Sequence, residues 1–259
     1  MKPSELEAIH TLWDELADFP AEDMESALRH CLGKLATMVR ADNSYWIGGV
    51  RVGEPDPRDP LQGWRPGVQH YLHPTPIHTD AGKALATRWK SRTPDPSFRL
   101  TRKGEGTFRA ILHRRDLPPA WFRSDHYLLY HATRGIYDTC LICFPVNEDV
   151  ESWFTFQRTT VRRKFSQADE RLLLEALRPV KWFHRQLALA HGLALASSPL
   201  TTAQRRVLHL LLSEKSEKEI ADQLGQSFHT IHEHVINLFA KFGVKGRSGL
   251  MALWLGSKA

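Results

Sequence analysis

The stretch SEKEIADQLGQSFHTIHEHVINLFAKFGV, residues 216–244, decides the fold of the C-terminal part of the chain. Ser216 and Glu219 form a capping-box pattern, in which a serine begins a helix and a carboxylate three residues later bonds back to the cap. Gly225 is placed to end that helix, and Ser227 can begin the next one after a single intervening residue. The stretch therefore predicts two amphipathic helices joined by a tight glycine turn, the helix-turn-helix pattern.

One further helix is predicted on each side of this pair. Thr201 and Gln204 form another capping-box pattern, and Ser248 is placed to cap a short helix near the C-terminus. Apolar residues recur at steps of three and four, which predicts one buried face on each helix: Val207, Leu208, Leu211, Ile220, Ala221, Leu224, Ile231, Val235, Leu238, Phe242, Leu250, Leu253 and Trp254. Periodicity alone would also suit a helical bundle that only packs or dimerises.

Over about 55 residues this region resembles the C-terminal helix-turn-helix domain of LuxR-type regulators. The matching segments are Leu200-Thr, Val207-Leu, Lys218-Glu-Ile-Ala221, Leu224-Gly225, Thr230-Ile-His, His234-Val235 and Phe242-Gly-Val244. The resemblance implies that the third helix enters the major groove of double-stranded DNA, which is about 12 Å wide. The chain departs from the family at His232, where Lys or Arg is common, and 229–239 contains neither. We therefore expect weaker attraction to phosphates than is usual.

The same resemblance implies roles for individual residues. Base contacts are expected from His232, Glu233 and Ile236, and phosphate contacts from Thr230, Lys241 and Lys245. His229 and His234 can gain a proton and add positive charge beside DNA, although His234 could instead bond within its own domain. The fourth helix usually forms the dimer contact in this family, which assigns that role to Leu250, Leu253 and Trp254. We therefore expect a homodimer on DNA.

The region before residue 199 mixes helical and β-prone segments and predicts an α+β domain. Helices are expected at Ser4–Ala17, Ala21–Val39 and Asp80–Lys90, a strand at Asn43–Val52, and an antiparallel pair at Tyr137–Phe144 and Ser152–Arg158. The segments Gly53–Pro66 and Ser91–Gly106 are rich in turn-forming residues and are expected to be exposed loops.

A long helix is expected from Ser166 to Leu195, beginning with a Ser166–Asp169 capping-box pattern and kinked or split at Pro179. The small and polar stretch 196–199 that follows is the expected linker. We therefore expect a sensor domain over residues 1–195, including the linker helix 166–195, and a DNA-binding domain over residues 199–259.

The end of the first domain resembles the GAF-like or PAS-like sensor domains that precede this helix-turn-helix in many regulators. The resemblance rests on the paired β runs, Phe156-Gln-Arg158, Phe165-Ser166 and Leu173–Pro179. It implies an antiparallel sheet and a small-molecule effector. Aromatic residues that could line the cavity are Tyr45, Trp46, Trp64, Tyr71, Trp89, Trp121 and Tyr127. Because side chains alternate along a strand, Tyr45 and Trp46 cannot face the same cavity. Leu72-His-Pro lacks the Asp-Pro step of the acyl-homoserine lactone sensors, so a lactone ligand is left open.

Composition limits the other classes of function. The 259 residues are 42% hydrophobic and 25% charged with net charge +6, values typical of a globular protein that attracts polyanions. No apolar run suits a membrane span or signal peptide, and the three cysteines are too few for a disulfide framework, which favours the cytoplasm. Cys140 and Cys143 have CxxC spacing but should face opposite sides of a strand. His70, His73 and His78 do not match a known zinc pattern. The basic run 158–164 is expected to be a solvated turn or a secondary contact surface.

These patterns together predict a cytoplasmic transcriptional regulator that needs no cofactor or metal and has no enzymatic activity. Its N-terminal domain is expected to respond to a small molecule, and its C-terminal domain to bind DNA as a dimer. Two alternatives remain. The first domain could be a protein-interaction module without a ligand cavity, or the chain could be a thiol-dependent enzyme with a nucleic-acid-binding tail.

Overall fold

A computed structural model describes residues 1–51, 59, 61–74, 96–160, 163–193 and 200–254. The chain divides into two compact units, one formed by Met1–Trp13 and Arg29–Pro179 and the other by Asp14–Leu28 and Val180–Ala259. The predicted linker 196–199, the predicted helix Asp80–Lys90 and Trp89 lie outside the described residues. The domain limits expected from the sequence therefore remain a proposal.

The first unit contains the sheet, and helices precede, interrupt and follow its strands in sequence. Its helices are α1 (Pro3–Ala17), α2 (Met24–Met38), α3 (Pro96–Arg102), α4 (His113–Asp116), α5 (Asp125–Tyr130) and α6 (Gln167–Leu177). Its strands are β1 (Asn43–Arg51), β2 (Trp64–Tyr71), β3 (Arg109–Leu112), β4 (Asp138–Asn147) and β5 (Val150–Arg158). Residues 14–17 of α1 and 24–28 of α2 belong to the second unit.

The five strands form one antiparallel sheet in the order β2-β1-β5-β4-β3. The predicted α+β class and the predicted strand pair at the end of the domain, β4 with β5, are confirmed. Strand β5 lies in the middle of the sheet and every one of its residues is buried. Because the central strand is covered on both sides, it consists largely of aromatic and small side chains.

The register divides the side chains between two faces of the sheet. Trp153 lies opposite both Ile47 and Cys143, and the side that they share is called the Trp153 face. Phe154 lies opposite Trp46 and Ile142, on the side called the Phe154 face. The hydroxyl of Ser44, on the Phe154 face, donates to the carbonyl of Leu32 in α2 at 3.1 Å. Helix α6 contacts β3 and β4.

Two predicted loops contain regular structure. Gly53–Pro66 includes the start of β2 and the buried Asp59, whose carboxylate accepts from the backbone of Leu61 and Gly63. Ser91–Gly106 includes α3. Over the residues that the structure describes, both loop predictions were wrong in part, because Gly and Pro content does not show that neighbouring strands and side chains supply hydrogen bonds. The short edge strand β3 was not predicted.

The predicted long helix after the sheet is split as expected at Pro179. Ser166 and Asp169 form the predicted capping box of α6, and α7 (Lys181–Ala190) begins after Val180. Helix α7 belongs to the second unit, while α6 belongs to the first.

The second unit contains the four predicted C-terminal helices: α8 (Thr202–Leu211), α9 (Glu217–Leu224), α10 (Phe228–Phe242) and α11 (Arg247–Trp254). Capping boxes form at Thr201 with Gln204 and at Ser216 with Glu219, as predicted. Ser248 lies inside α11, so it is not the cap that we expected. No helix in the described ranges combines the length and the apolar character needed to cross a bilayer.

Candidate DNA interface and effector site

Helix α10 is held with one side buried and the other side open to solvent. Its predicted apolar stripe, Ile231, Val235, Leu238 and Phe242, is buried, and α8 and α9 both pack against it. The turn before α10 depends on Gly225, which adopts a left-handed conformation with φ of 62°; such a conformation favours glycine because it has no Cβ. Buried packing and this turn therefore fix the orientation of the helix.

The predicted base-contacting side chains lie on the open side of α10. The side chains of His229, His232 and Glu233 are 83%, 48% and 62% exposed, and Ile236 is 52% exposed. Phe228, which the sequence interpretation did not include, is 55% exposed on the same helix. An apolar residue immediately after the cap Ser227, outside the buried stripe, was the signal that could have identified it.

Carboxylates contact the two exposed histidines. His229 Nε2 lies 3.4 Å from Glu233 Oε1, one turn along α10. His232 Nδ1 lies 2.9 Å from Oε2 of Glu217, at the start of α9, and the ring of Phe228 stacks on His232 at 5.9 Å and 11°. The orientation of His232 is therefore defined by groups from two helices.

The other predicted DNA contacts differ in accessibility. Thr230 and His234 are half-buried, and the backbone N–H of Thr230 donates to Ser227 Oγ at 3.1 Å. Lys241 is half-buried and donates to Gln204 Oε1 at 3.1 Å. Lys245 is exposed. Lys245 is therefore better placed than Lys241 for a phosphate.

The three residues expected at the dimer contact are buried instead. Leu250, Leu253 and Trp254 are 3%, 2% and 5% exposed, and α11 packs against α7 and α10 within the second unit. In the single chain these side chains are occupied by packing, and their role in a dimer stays a prediction. Their apolar character serves packing within one chain.

Three of the proposed effector-contacting residues share the Trp153 face. The rings of Tyr45 and Tyr71 lie 4.8 Å apart at neighbouring positions of β1 and β2. Burial raises the pKa of both phenols, and the charge of Arg134 partly offsets each rise. Trp64 lies in a separate apolar group on this face, 6.3 Å from Trp153.

Trp46 points to the opposite side of the sheet, as strand alternation predicts. It is fully buried on the Phe154 face, and its indole N–H donates to Ser152 Oγ at 2.7 Å. A residue with this burial and partner belongs to the core, so the structure separates it from Tyr45 and Tyr71.

Trp121 and Tyr127 belong to a third group, which is rich in histidine. The Trp121 ring lies 5.3 Å from His113 and 5.2 Å from His131. Tyr127 stacks on His131 and its hydroxyl donates to the carbonyl of Ile136 at 3.0 Å. Burial, followed by the positive charge of neighbouring groups, lowers the pKa of His131 well below its usual range.

The cysteines are unsuited to the thiol-dependent alternative. Cys140 and Cys143 are fully buried and lie on opposite faces of the sheet. Burial raises the pKa of Cys140 well above its usual range and that of Cys143 to about 12. A thiol reacts as its thiolate, so both are poor nucleophiles. Of the three loop histidines, His70 lies near the end of β2, His73 follows the strand, and His78 is outside the described residues.

The basic run 158–164 was expected to be a solvated turn, and its first residue differs from this prediction. Arg158 is 1% exposed. Its guanidinium donates to the carbonyl of Lys164 at 2.8 Å, pairs with Asp169 at 3.2 Å and lies over the ring of Phe165. The side chain therefore joins β5 to the start of α6, which the charge pattern could not reveal. Arg163 and Lys164 are exposed.

A second buried ion pair was also missed by the sequence interpretation. Arg109 Nη2 lies 2.9 Å from Glu151 Oε2, and their side chains are 11% and 2% exposed. Glu151 also accepts from the indole of Trp153 at 2.7 Å and from the backbone of Gly106 at 2.8 Å. The pair spans from β3 to β5 at one end of the Trp153 face.

Comparisons with known proteins agree with the C-terminal geometry. Residues 198–253 match the family described as bacterial regulatory proteins, luxR family. The spore germination protein GerE of Bacillus subtilis (strain 168) is 47% identical over 49 residues, 19% of this chain, and the chain spans 66% of the length of that relative. The matched family segment includes α8, α9 and α10.

Among solved structures, SdiA in complex with octanoyl-rac-glycerol has a TM-score of 0.49 and 14% identity, covering 98% of this chain and 95% of that chain. The N-acylhomoserine lactone dependent LuxR family transcriptional factor CepR2 from Burkholderia cenocepacia has a TM-score of 0.42 and 16% identity, covering 71% of this chain and 99% of that chain.

Proposed function

We propose that this protein, whose residues 198–253 form a domain of the luxR family of bacterial regulatory proteins, is a DNA-binding regulator of transcription. The observation that carries the proposal is α10, with one side buried and the opposite side exposed. A helix held in this way by two others can enter the major groove and bring its outer side chains to base edges.

The exposed side of α10 supports a division of roles. His232, Glu233 and Ile236 contact base edges: imidazole and carboxylate groups exchange hydrogen bonds with bases, and an isoleucine contacts a thymine methyl. His229 adds charge when protonated. Thr230, His234, Lys241 and Lys245 contact the phosphates or support the helix, with Lys245 the main phosphate contact because its ammonium is exposed.

Selection from random duplexes followed by fluorescence anisotropy tests this function. We expect one enriched sequence class, bound more tightly than scrambled duplexes. Lys245→Ala should weaken binding to all duplexes and reduce the salt dependence by about one phosphate contact. Lys103→Ala removes an exposed charge from the first unit and should leave the salt dependence unchanged. A selection without enrichment, together with salt dependence unaffected by Lys245→Ala, would contradict the proposal.

We further propose that a small molecule binds on the Trp153 face beside Tyr45 and Tyr71 and controls the regulator. Two partly buried phenols near the positive charge of Arg134 suit a ligand with a carbonyl or carboxylate acceptor. Trp64, on the same face, suits its apolar part. Trp121 and Tyr127 either form a separate wall of the ligand site or belong to the core of the domain.

Native mass spectrometry of the purified protein with a library of small acids and carbonyl compounds tests for this ligand. A bound compound should raise the melting temperature of the protein. Tyr45→Phe should lower the affinity for that compound by about fivefold, because one hydrogen bond is lost. Trp46→Phe changes an aromatic side chain on the other face and should leave affinity unchanged. If no compound binds and protein partners are recovered instead, the interaction-module alternative is favoured.

DNA binding as a homodimer in the cytoplasm completes the proposal. Two linked recognition helices would compensate for the low positive charge of each one. Because Leu250, Leu253 and Trp254 are buried in the single chain, the dimer requires either another surface or a rearrangement of α11. Analytical ultracentrifugation with a two-half-site duplex and with a single half-site distinguishes a dimer from a monomer.

A further inference from the structure

We propose that Glu217 positions His232 so that the outward ring nitrogen, Nε2, accepts a hydrogen bond from DNA when the ring is neutral and donates one when it is protonated. The base preferred at one position of the binding site then changes with pH. This inference rests on the proposed function, because it specifies how one residue of the DNA interface selects its base.

The geometry at His232 shows which ring nitrogen contacts Glu217. Nδ1 lies 2.9 Å from Oε2 of Glu217, so that nitrogen is engaged within the domain. The Phe228 ring lies nearly parallel to the imidazole, with an interplanar angle of 11° and 5.9 Å between the ring centroids. His232 remains 48% exposed. The nitrogen that does not contact Glu217 is therefore the one available to DNA.

The partner determines the tautomer. An ionised carboxylate only accepts hydrogen bonds, so Nδ1 must carry the proton that Glu217 accepts. In the neutral ring the proton then resides on Nδ1 and Nε2 is left as an acceptor. When the ring gains a second proton, Nε2 becomes a donor without any movement of the side chain. Because Glu217 keeps the first proton on Nδ1, protonation of the ring changes Nε2 from a hydrogen-bond acceptor to a hydrogen-bond donor.

The major groove distinguishes these two roles. An acceptor pairs with the amino group of cytosine N4 or adenine N6, whereas a donor pairs with N7 or O6 of guanine. The neutral ring therefore favours cytosine or adenine at the contacted position, and the protonated ring favours guanine.

A second pair of titratable side chains lies on the exposed side of the same helix. On α10, His229 and Glu233 lie 3.4 Å apart and form their own pair. Glu217 faces His232 from α9. Protonation of His229 would add charge beside the duplex without selecting a base at the His232 position. A general gain in affinity at low pH is therefore distinguishable from a change in base preference.

Two measurements on the full chain test the proposal. Nitrogen-15 NMR of the DNA-free protein at about pH 8 reports which ring nitrogen of His232 carries the proton. We expect the Nδ1–H tautomer in the parent and loss of that preference in Glu217→Ala. The control Asp222→Ala removes an exposed carboxylate from the same helix and should retain the parent tautomer. A parent with predominantly Nε2–H would overturn the proposal, even if DNA binding could not be measured.

Competition anisotropy at fixed salt, with duplexes that differ at one base pair, measures the preference. The affinity ratio of guanine to cytosine should rise by about fivefold between pH 8 and pH 6, the effect of one hydrogen bond. His232→Gln and Glu217→Ala should abolish this pH dependence, while Asp222→Ala should retain it. If the parent binds a selected site with a ratio independent of pH, this inference fails and the proposed function stands. If the parent binds no duplex, the proposed function fails instead.

Discussion

Gly49 lies in β1 directly beneath the indole ring of Trp153. A Cβ at position 49 would overlap the ring, and the ring is held by a 2.7 Å hydrogen bond to Glu151. We expect Gly49→Ala to lower the free energy of unfolding by about 1–3 kcal/mol, because the buried ring cannot move without strain. Urea denaturation measures this change.

A glycine elsewhere in the same unit provides the control for Gly49. In Gly33→Ala the new Cβ would meet only Leu72, at 3.8 Å, inside helix α2, where alanine is favoured by up to about 1 kcal/mol. No loss of stability is expected there. Equal losses in the two variants would show that the contact with Trp153 does not explain the effect.

His131 links stability to pH at the scale of one side chain. Because burial and then the charges of His113, Arg134 and His126 lower its pKa, the unfolded chain binds a proton more readily than the folded chain. This contribution is complete above about pH 6.5 and is lost as pH falls below that value. We expect His131→Phe, which keeps an aromatic ring, to flatten the decline of the melting temperature between about pH 7 and about pH 5. Imidazoles ordinarily change charge in this range.

An exposed imidazole of the same unit is the control for this pH dependence. His73 is exposed, so His73→Gln should leave the decline unchanged. His209 in the second unit also has its pKa lowered by burial, and some decline should therefore persist in His131→Phe. A parent protein whose melting temperature rises on acidification over this range would contradict the sign.

At the scale of elements, the edge strand β3 is joined to the middle of the sheet by Arg109 and Glu151. We expect Glu151→Ala to lower the free energy of unfolding by about 3–5 kcal/mol, because it leaves the guanidinium of Arg109 without its buried partner. Asp149→Ala is the matched control, since Asp149 is 66% exposed and 3.8 Å from Arg51. Unfolding in guanidinium chloride measures both variants. Similar unfolding midpoints for the two would exclude a structural role for the buried pair.

Local signals explain which elements could be predicted. Ser166, Thr201, Ser216 and Gly225 act within four residues of their own position, so the helix limits that depend on them were correct. Strands β2 and β3 were missed. Strand β2 contains Pro66 and exists through pairing with β1, and β3 has only four residues and pairs with β4. Pairing between distant segments leaves little trace in either sequence.

The candidate site divides in the same way. The periodicity of α10 correctly separated its buried stripe from His229, His232, Glu233 and Ile236. The contact between His232 and Glu217 joins residues 15 apart, and no helical repeat indicates it. The burial of Trp254 in α11 likewise depends on packing against α7, a helix that ends more than sixty residues before Trp254 in the sequence. Tertiary contacts of this kind could not be predicted from spacing.

At the scale of the molecule, a net charge of +6 is distributed so that α10 itself contributes little of it. We expect His232→Lys to raise the affinity for matched and scrambled duplexes alike, because it adds a positive charge beside the phosphates. The pH dependence of binding should become smaller, because lysine stays charged between about pH 6 and about pH 8, where imidazoles change charge. Ala132→Lys adds the same charge at an exposed position of the first unit. Anisotropy at several salt concentrations should distinguish the two, and equal gains would indicate a nonlocal charge effect.

The division of the chain into two units does not follow sequence order. Residues 14–28 lie before the sheet, yet they belong to the unit that carries the DNA-binding helices. The turn Ala21–Asp23 packs against α8, and Met24 and Leu28 are buried. A gene fusion that transfers only residues 199–259 to another sensor would therefore omit part of the support of α8. In a genetic screen, substitutions at codons 14–28 should be recovered as loss of operator binding, although these residues precede the whole sheet in the sequence.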